Sequence, residues 1–257
     1  MIGDASTIAR SAMRAWRRTL FHACAARCAP LPVTPEPAVV VAPHPDDEVF
    51  GAGGLIAAKC ALAAPIRILY LTGGGASHRN CCAVEPDLVV ARRRELAIRA
   101  ASVLGVKSPA CTFMDLPDGC LPASAHAGYP SAVSSVAEIL DAARPAEIYC
   151  THSLDGWQDH AAASAIVRAA ARTASPGAAI FEYLVWAPLS RSSIGLASLP
   201  WRRGTCLKIG PWANLKSEAV RCYLSSYAPC GHPWVGHLPP DFTRLFDWPG
   251  EVFLSVP

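Results

Sequence analysis

Ala38-Val39-Val40-Val41-Ala42-Pro43-His44-Pro45-Asp46-Asp47-Glu48 joins two unlike halves. The first half is a short apolar run, β-branched at its centre and without polar alternation. That is the pattern of a strand buried on both faces of a sheet. The second half sets four ionisable groups into five residues where the strand stops. In open parallel sheets, ligands bind beyond the carboxyl ends of the strands, so this charged half marks a candidate site and not core. Imidazole nitrogen with carboxylate oxygen suits a divalent metal, zinc foremost. His44 and Asp47 are three apart in a tight turn and can reach one ion. Asp46 points elsewhere and is available as a base.

Working outward, further apolar runs predict strands over 66–71, 111–114, 147–150 and 180–185. Helical spacing predicts helices over 51–64, 88–104, 131–143, 159–173 and 212–224. Strands alternating with helices mean right-handed βαβ units. The expected fold class is therefore α/β: a Rossmann-like three-layer sandwich with a mostly parallel sheet, in which the strand order 3-2-1-4-5 would make the first and fourth strands neighbours. Residues 186–211 show few regular signals and are expected as a long loop. The stretch after Cys230 is rich in Pro, Trp and His and equally aperiodic. Gly51-Ala52-Gly53-Gly54 falls short of a dinucleotide fingerprint because position 56 is Ile. Close helix packing accounts for these glycines.

A catalytic zinc site needs three protein ligands and an open position. The candidate third ligand lies in His152-Ser153-Leu154-Asp155-Gly156-Trp157-Gln158-Asp159-His160, which follows the fourth strand and opens a helix. With the first and fourth strands adjacent, both motifs face one crevice. Asp155 suits a turn. Asp159 either orients a neighbour or caps the helix.

At this point the chain resembles the PIG-L/LmbE-like zinc-dependent N-deacetylases. The resemblance rests on His44-Pro45-Asp46-Asp47-Glu48 after the strand and Asp159-His160 opening a later helix. Thr72-Gly73-Gly74, Arg92 to Glu95, Leu104-Gly105 and Leu116-Pro117-Asp118-Gly119 extend it over roughly 38–225. It implies removal of an N-acetyl or other N-acyl group from an amino-sugar substrate. The donor is a lipid-linked sugar, a small glycoside or a saccharide intermediate. It implies Zn2+ on His44, Asp47 and His160, with Asp46 as general base, and Asp159 is expected as a second catalytic residue. It also places Arg92 and Asp118 against the substrate, and Trp157 is expected to join them there. Many members have a histidine where Trp157 stands. Either another histidine such as His152 substitutes, or Trp157 contributes its indole, or the chain is a weak or inactive metal- or sugar-binding member of the fold.

Composition bounds the rest. With 52% apolar residues among 257, and 23 Pro and 18 Gly in no repeating period, disordered and collagen-like classes are excluded. Residues 1–35 carry Arg10, Arg14, Arg17, Arg18 and Arg27 against Asp4 alone, while the net charge of the whole is only +3. No basic face for nucleic acid is expected on the body. Residues 6–28 pattern as a basic amphipathic helix through Ile8, Ala12, Trp16 and Leu20. It either packs on the domain or touches an anionic membrane. Residues 1–37 are thus expected as an arm with a Pro-rich linker, and 38–257 as the domain. No apolar run reaches the ~20 residues that span a bilayer. The eleven cysteines form no C-x-x-C pair and are expected as free core residues of a reduced, cytoplasmic chain. His78 is expected at the surface.

Overall fold

The computed structural model describes residues 5–189, 193–239, 242–246 and 248–257. The elements are α1 (Ala5–Ala25), β1 (Ala29–Pro30), β2 (Ala38–Ala42), α2 (Asp47–Ala61), β3 (Ile66–Thr72), α3 (Pro86–Val103), β4 (Cys111–Leu116), α4 (Tyr129–Ala143), β5 (Glu147–Thr151), α5 (Gln158–Ala174), β6 (Ala179–Tyr183), α6 (Ser193–Ser198), β7 (Gly204–Lys208), α7 (Ala213–Leu224) and β8 (Gly250–Ser255).

The strands form one eight-stranded sheet in the order β1-β7-β8-β6-β5-β2-β3-β4. All neighbours are parallel except β8, which runs antiparallel to β6 and β7. The β4-β3-β2-β5-β6 portion has the order that makes β2 and β5 neighbours and so brings both motifs to one crevice. β2 is buried along its whole length, and alternation along it feeds two cores. Val40 and Ala42 join the cluster under α2, α3 and α7. Val39 and Val41 join the one under α4 and α5. This is the three-layer sandwich, with the switch point at β2, whose neighbours β3 and β5 leave in opposite directions.

Besides the two-residue β1 in the expected arm, two strands depart from the sequence expectation. β7 lies in the segment read as a loop, and β8 in the aperiodic C-terminal stretch. They pair with each other over five residue pairs. Their stability comes from that long-range ladder and from burial of Val252, Phe253 and Leu254, neither of which leaves a local period. The arm also joins the body. Phe21 and Ala25 of α1 are buried against Leu184, Val252 and Leu254, and β1 pairs with β7. The opposite side of α1 leaves Met13, Trp16 and Leu20 exposed. Residues 1–4 and the side chains of Ile8 and Arg10 lie outside what is described.

α2 is kinked at Ala52, whose φ/ψ is non-helical. Amides beyond the kink need new acceptors, since a buried unpaired N–H is costly. Glu251 of β8 accepts from the N–H groups of Gly54 (2.7 Å) and Leu55 (2.8 Å), and Lys216 of α7 neutralises it (2.6 Å). The glycines serve packing, as expected. A Cβ on Gly51 would stand 2.1 Å from Tyr183 Cδ2, and one on Gly54 2.3 Å from Ile209 Cγ2.

Candidate metal centre and catalytic cleft

The turn after β2 is fastened before it bends. Thr72 of β3 donates to the Pro43 carbonyl from both its backbone N–H (3.0 Å) and its hydroxyl (2.9 Å). Asp46 then takes φ 140°, a conformation that costs a non-glycine residue ~1–3 kcal/mol. Glu48 holds it there. Its carboxylate accepts the Asp46 N–H (2.9 Å) and the hydroxyls of Tyr70 (3.1 Å) and Tyr223 (2.6 Å). Burial pushes the Glu48 carboxyl up to about 7, against the pull of Tyr223 and the Asp46 amide.

The bend places His44 and Asp47 side by side, His44 Nδ1 being 3.1 Å from Asp47 Oδ2. His160, in the first turn of α5, brings Nε2 to 3.3 Å from the same oxygen. Ligand atoms of His44, Asp47 and His160 lie within 4.8 Å of one another. A second group, His44 with Asp118 and Asp159, is equally compact. Hydrogen bonds separate their roles. Asp159 already accepts the N–H groups of Gly119 (2.7 Å) and Leu121 (3.0 Å), and Asp118 that of Ala76 (2.6 Å). Both stand 3.1 Å from His44 Nε2. With an ion bound, they would take the Nε2–H of His44 and leave its Nδ1 lone pair on the Asp47 side.

His160 is oriented likewise. Its Nδ1 lies 2.7 Å from Asp155 Oδ2, so the ring donates there and presents Nε2. Asp155 is itself fixed by the N–H groups of Val185 (2.9 Å), Trp186 (2.8 Å) and Ala187 (2.7 Å). Imidazoles backed by carboxylates on their outer nitrogens are what a divalent metal requires of its surroundings. The donor set fits such an ion.

Charge is concentrated here. Burial pulls His44 down, but Asp118, Asp159 and Asp47 outweigh it and hold the ring well above its usual range. Burial likewise opposes, and Asp47 and Asp155 overcome it, in pushing His160 up to about 9. Burial would raise Asp47, yet His160 and His44 hold it well below the carboxylate range. Asp46 goes the other way. Burial pushes it up to about 8, with Arg93 pulling against it. Two adjacent carboxyls are thus driven apart, one fit to ligate and one to exchange a proton.

These groups floor a cleft of about 460 Å³ also lined by Asp118, Gly119, Trp157, Trp186, Arg93 and the Val235–Leu238 segment. Such a volume suits a small ligand. Arg92 is not among the lining residues. It is exposed and paired with Glu95 (2.9 Å). Arg93 faces inward instead, donating to the carbonyls of Gly74 (3.2 Å) and Pro45 (2.7 Å), with Asp46 Oδ1 at 3.2 Å. His152 also lies away from the cleft. It accepts the Leu154 N–H (3.0 Å) and has Glu182 3.5 Å from its Nε2. The histidine on the cleft wall is His237. Trp157 is half exposed at the mouth, edge-on to Trp186. Sequence reading does not single out Arg93, Asp155 or Trp186 for the site. Asp155 carries one local signal, lying five residues before His160.

A mostly parallel α/β sheet with a His–Asp–His donor set at its switch point defines an α/β protein with a candidate divalent-metal centre. The family model "PIG-L: GlcNAc-PI de-N-acetylase" matches residues 39–171. That is more than half of the chain and includes both motifs, so the chain belongs to the PIG-L family. Among solved structures it is similar to the conserved protein TT1542 from Thermus thermophilus. That likeness has 26% identity and a TM-score of 0.54 over 73% of this chain and 78% of that one. It is also similar to N,N'-diacetylchitobiose deacetylase from Pyrococcus horikoshii, with 17% identity and a TM-score of 0.62 over 86% and 83%. A third is the 4-carboxy-2-hydroxymuconate hydratase GalB from Pseudomonas putida, with 21% identity and a TM-score of 0.56 over 72% and 77%. The last two likenesses show the fold, and that fold serves more than one reaction. No curated protein matches the chain in sequence.

Proposed function

We propose that the chain is a zinc-dependent amide hydrolase that removes an N-acetyl group from an amino-sugar substrate, namely a lipid-linked sugar, a small glycoside or a saccharide intermediate. One observation carries this reading: the buried carboxyl of Asp46 sits beside the His44–Asp47–His160 donor set on the floor of a sugar-sized cleft. Its family membership supports it. An ion held by His44, Asp47 and His160 would supply Lewis acidity and lower the pKa of water.

The side chains divide the remaining work. Asp46 accepts the proton of the attacking water and returns it to the departing amine. Arg93 steadies the charged form of Asp46. Asp159 acts through His44, holding the ring while it binds the loop after β4. Asp118 reaches His44 and the cleft from that same loop. Trp157 offers an apolar face to a sugar ring at the mouth, and its place in the motif favours a second reading, a metal- and sugar-binding member without turnover. The exposed Met13, Trp16 and Leu20 of α1 fit contact with an anionic membrane, which would bring a lipid-linked donor to a cytoplasmic enzyme. No helix among the described residues is long and apolar enough to cross a membrane. Co-sedimentation with anionic vesicles, compared with a Met13→Ser/Trp16→Ser chain, tests that contact.

The main test is amine release from a panel of N-acetylglucosaminides by the zinc-loaded chain, with Asp46→Asn beside it. Turnover that depends on Asp46 is expected. Metal binding with no release from any donor would hand the case to the binding reading.

A further inference from the structure

A second cluster of donors, which the proposed reaction does not use, lies on the chain segments that also supply part of the cleft lining. A 3-10 turn over Gly75–His78 follows β3, and Cys81 and Cys82 come in the next turn. Cys230 arrives 149 residues after Cys81. His78 Nδ1 stands 3.2 Å from Cys81 Sγ, 3.4 Å from Cys230 Sγ and 3.8 Å from Cys82 Sγ. Cys81 Sγ is 3.6 Å from Cys230 Sγ and 3.9 Å from Cys82 Sγ. All four ligand atoms lie within 4.8 Å of one another. A tetrahedral ion with metal–sulfur bonds of about 2.3 Å and a metal–nitrogen bond of about 2.0–2.1 Å needs its ligand atoms about 3.4–3.8 Å apart. The observed separations bracket that range.

The histidine is set for ligation. His78 is buried, and its Nε2 lies 3.0 Å from the Pro233 carbonyl, which can only accept. The hydrogen therefore sits on Nε2, and the Nδ1 lone pair faces the three sulfurs. A ring N–H donated to a carbonyl is the usual support of a metal-bound histidine.

We propose that His78, Cys81, Cys82 and Cys230 form a closed structural zinc site, separate from the centre in the cleft. Four protein donors leave no open position, which marks a structural and not a catalytic ion. The ion fastens the turn that carries Ala76, Ser77 and Asn80 to the segment that carries Val235 and His237, and all five line the cleft. Weaker ties run the same way, such as Ser77 Oγ donating to the Trp234 carbonyl at 3.2 Å. The expectation of core cysteines and a surface His78 is corrected here. His78 is buried, Cys81 is exposed, and Cys82 and Cys230 are half-buried.

The test uses the full chain purified under reducing conditions and loaded with cobalt. The cleft donors hold no sulfur, so thiolate-to-cobalt charge-transfer absorption reports this cluster alone. The band is expected in the unmodified chain and in Cys206→Ser, and it is expected to vanish in Cys230→Ser and in Cys82→Ser. Zinc content should fall by one equivalent in each of those last two. A mercurial reagent should release that same equivalent from the unmodified chain, which requires no variant to fold. Absence of the band, zinc content unchanged in Cys230→Ser, or a Cys81–Cys230 disulfide in the freshly isolated protein would overturn the proposal.

Discussion

In the cleft, His44 and Asp47 come from the turn after a fully buried strand, and His160 from the first turn of a helix. Each imidazole has a carboxylate on its outer nitrogen. Across the same wall, the thiol cluster takes its donors from a 3-10 turn and an irregular segment, and His78 has a backbone carbonyl behind it. Both kinds of partner fix the ring's tautomer and orientation, and the carboxylates add a negative charge that a carbonyl lacks. Regular elements hold donors precisely enough for catalysis, whereas loops suffice for an ion whose task is to tie them together. The stretch 75–82 links the two, giving His78, Cys81 and Cys82 to the thiol cluster and Ala76, Ser77 and Asn80 to the cleft lining.

The contrast can be broken by variants that act on one side only. The largest effect is expected for Asp46→Asn, which should cut amine release by at least ~100-fold, the lower end of general acid–base contributions. Its cleft metal should remain, as measured by elemental analysis; loss of the metal would make Asp46 a ligand and not a base. His160→Ala should remove the cleft ion while keeping the cobalt–thiolate band, and loss of both would merge the two sites. Asp155→Asn should weaken cleft metal affinity by roughly 10–100-fold, as outer-shell changes do, read by competition with a chelating dye. Cys230→Ser should leave the cleft ion bound and lower the melting temperature by ~2–4 °C for each kcal/mol of lost stability. At the small end, Arg92→Ala should change stability by no more than ~0.5 kcal/mol, as an exposed pair does, and leave kcat/KM as it was. Arg93→Lys should lower kcat/KM, because a point charge cannot reproduce the fork that spans Gly74, Pro45 and Asp46. Equal effects at Arg92 and Arg93 would sink that assignment.

The arginine pair shows where sequence reading stops. One step along a helix turns a side chain by about 100°. Arg92 and Arg93 are equal in composition, and only the packing of α3 beneath Gly74 selects the second. Asp155 is similar. Its local setting suits a turn, and its role depends on the Val185–Ala187 amides reached across thirty residues. β7 and β8 escape a sequence reading because their partners are distant in the chain. Cys230 escapes any spacing rule for the same reason.

What can be read locally was local in origin. The apolar run over 38–42, the ionisable turn behind it and the Asp159-His160 helix start each obey a short-range rule. Together they point to the α/β class and to His44 and Asp47, with His160 singled out by the family resemblance. Folding chose between neighbours that such rules treat alike, putting Arg93 and not Arg92 in the cleft and His237 and not His152 on its wall. It also gathered His78 with three scattered cysteines. Burial and direction of a side chain depend on contacts far along the chain, and no local period records them.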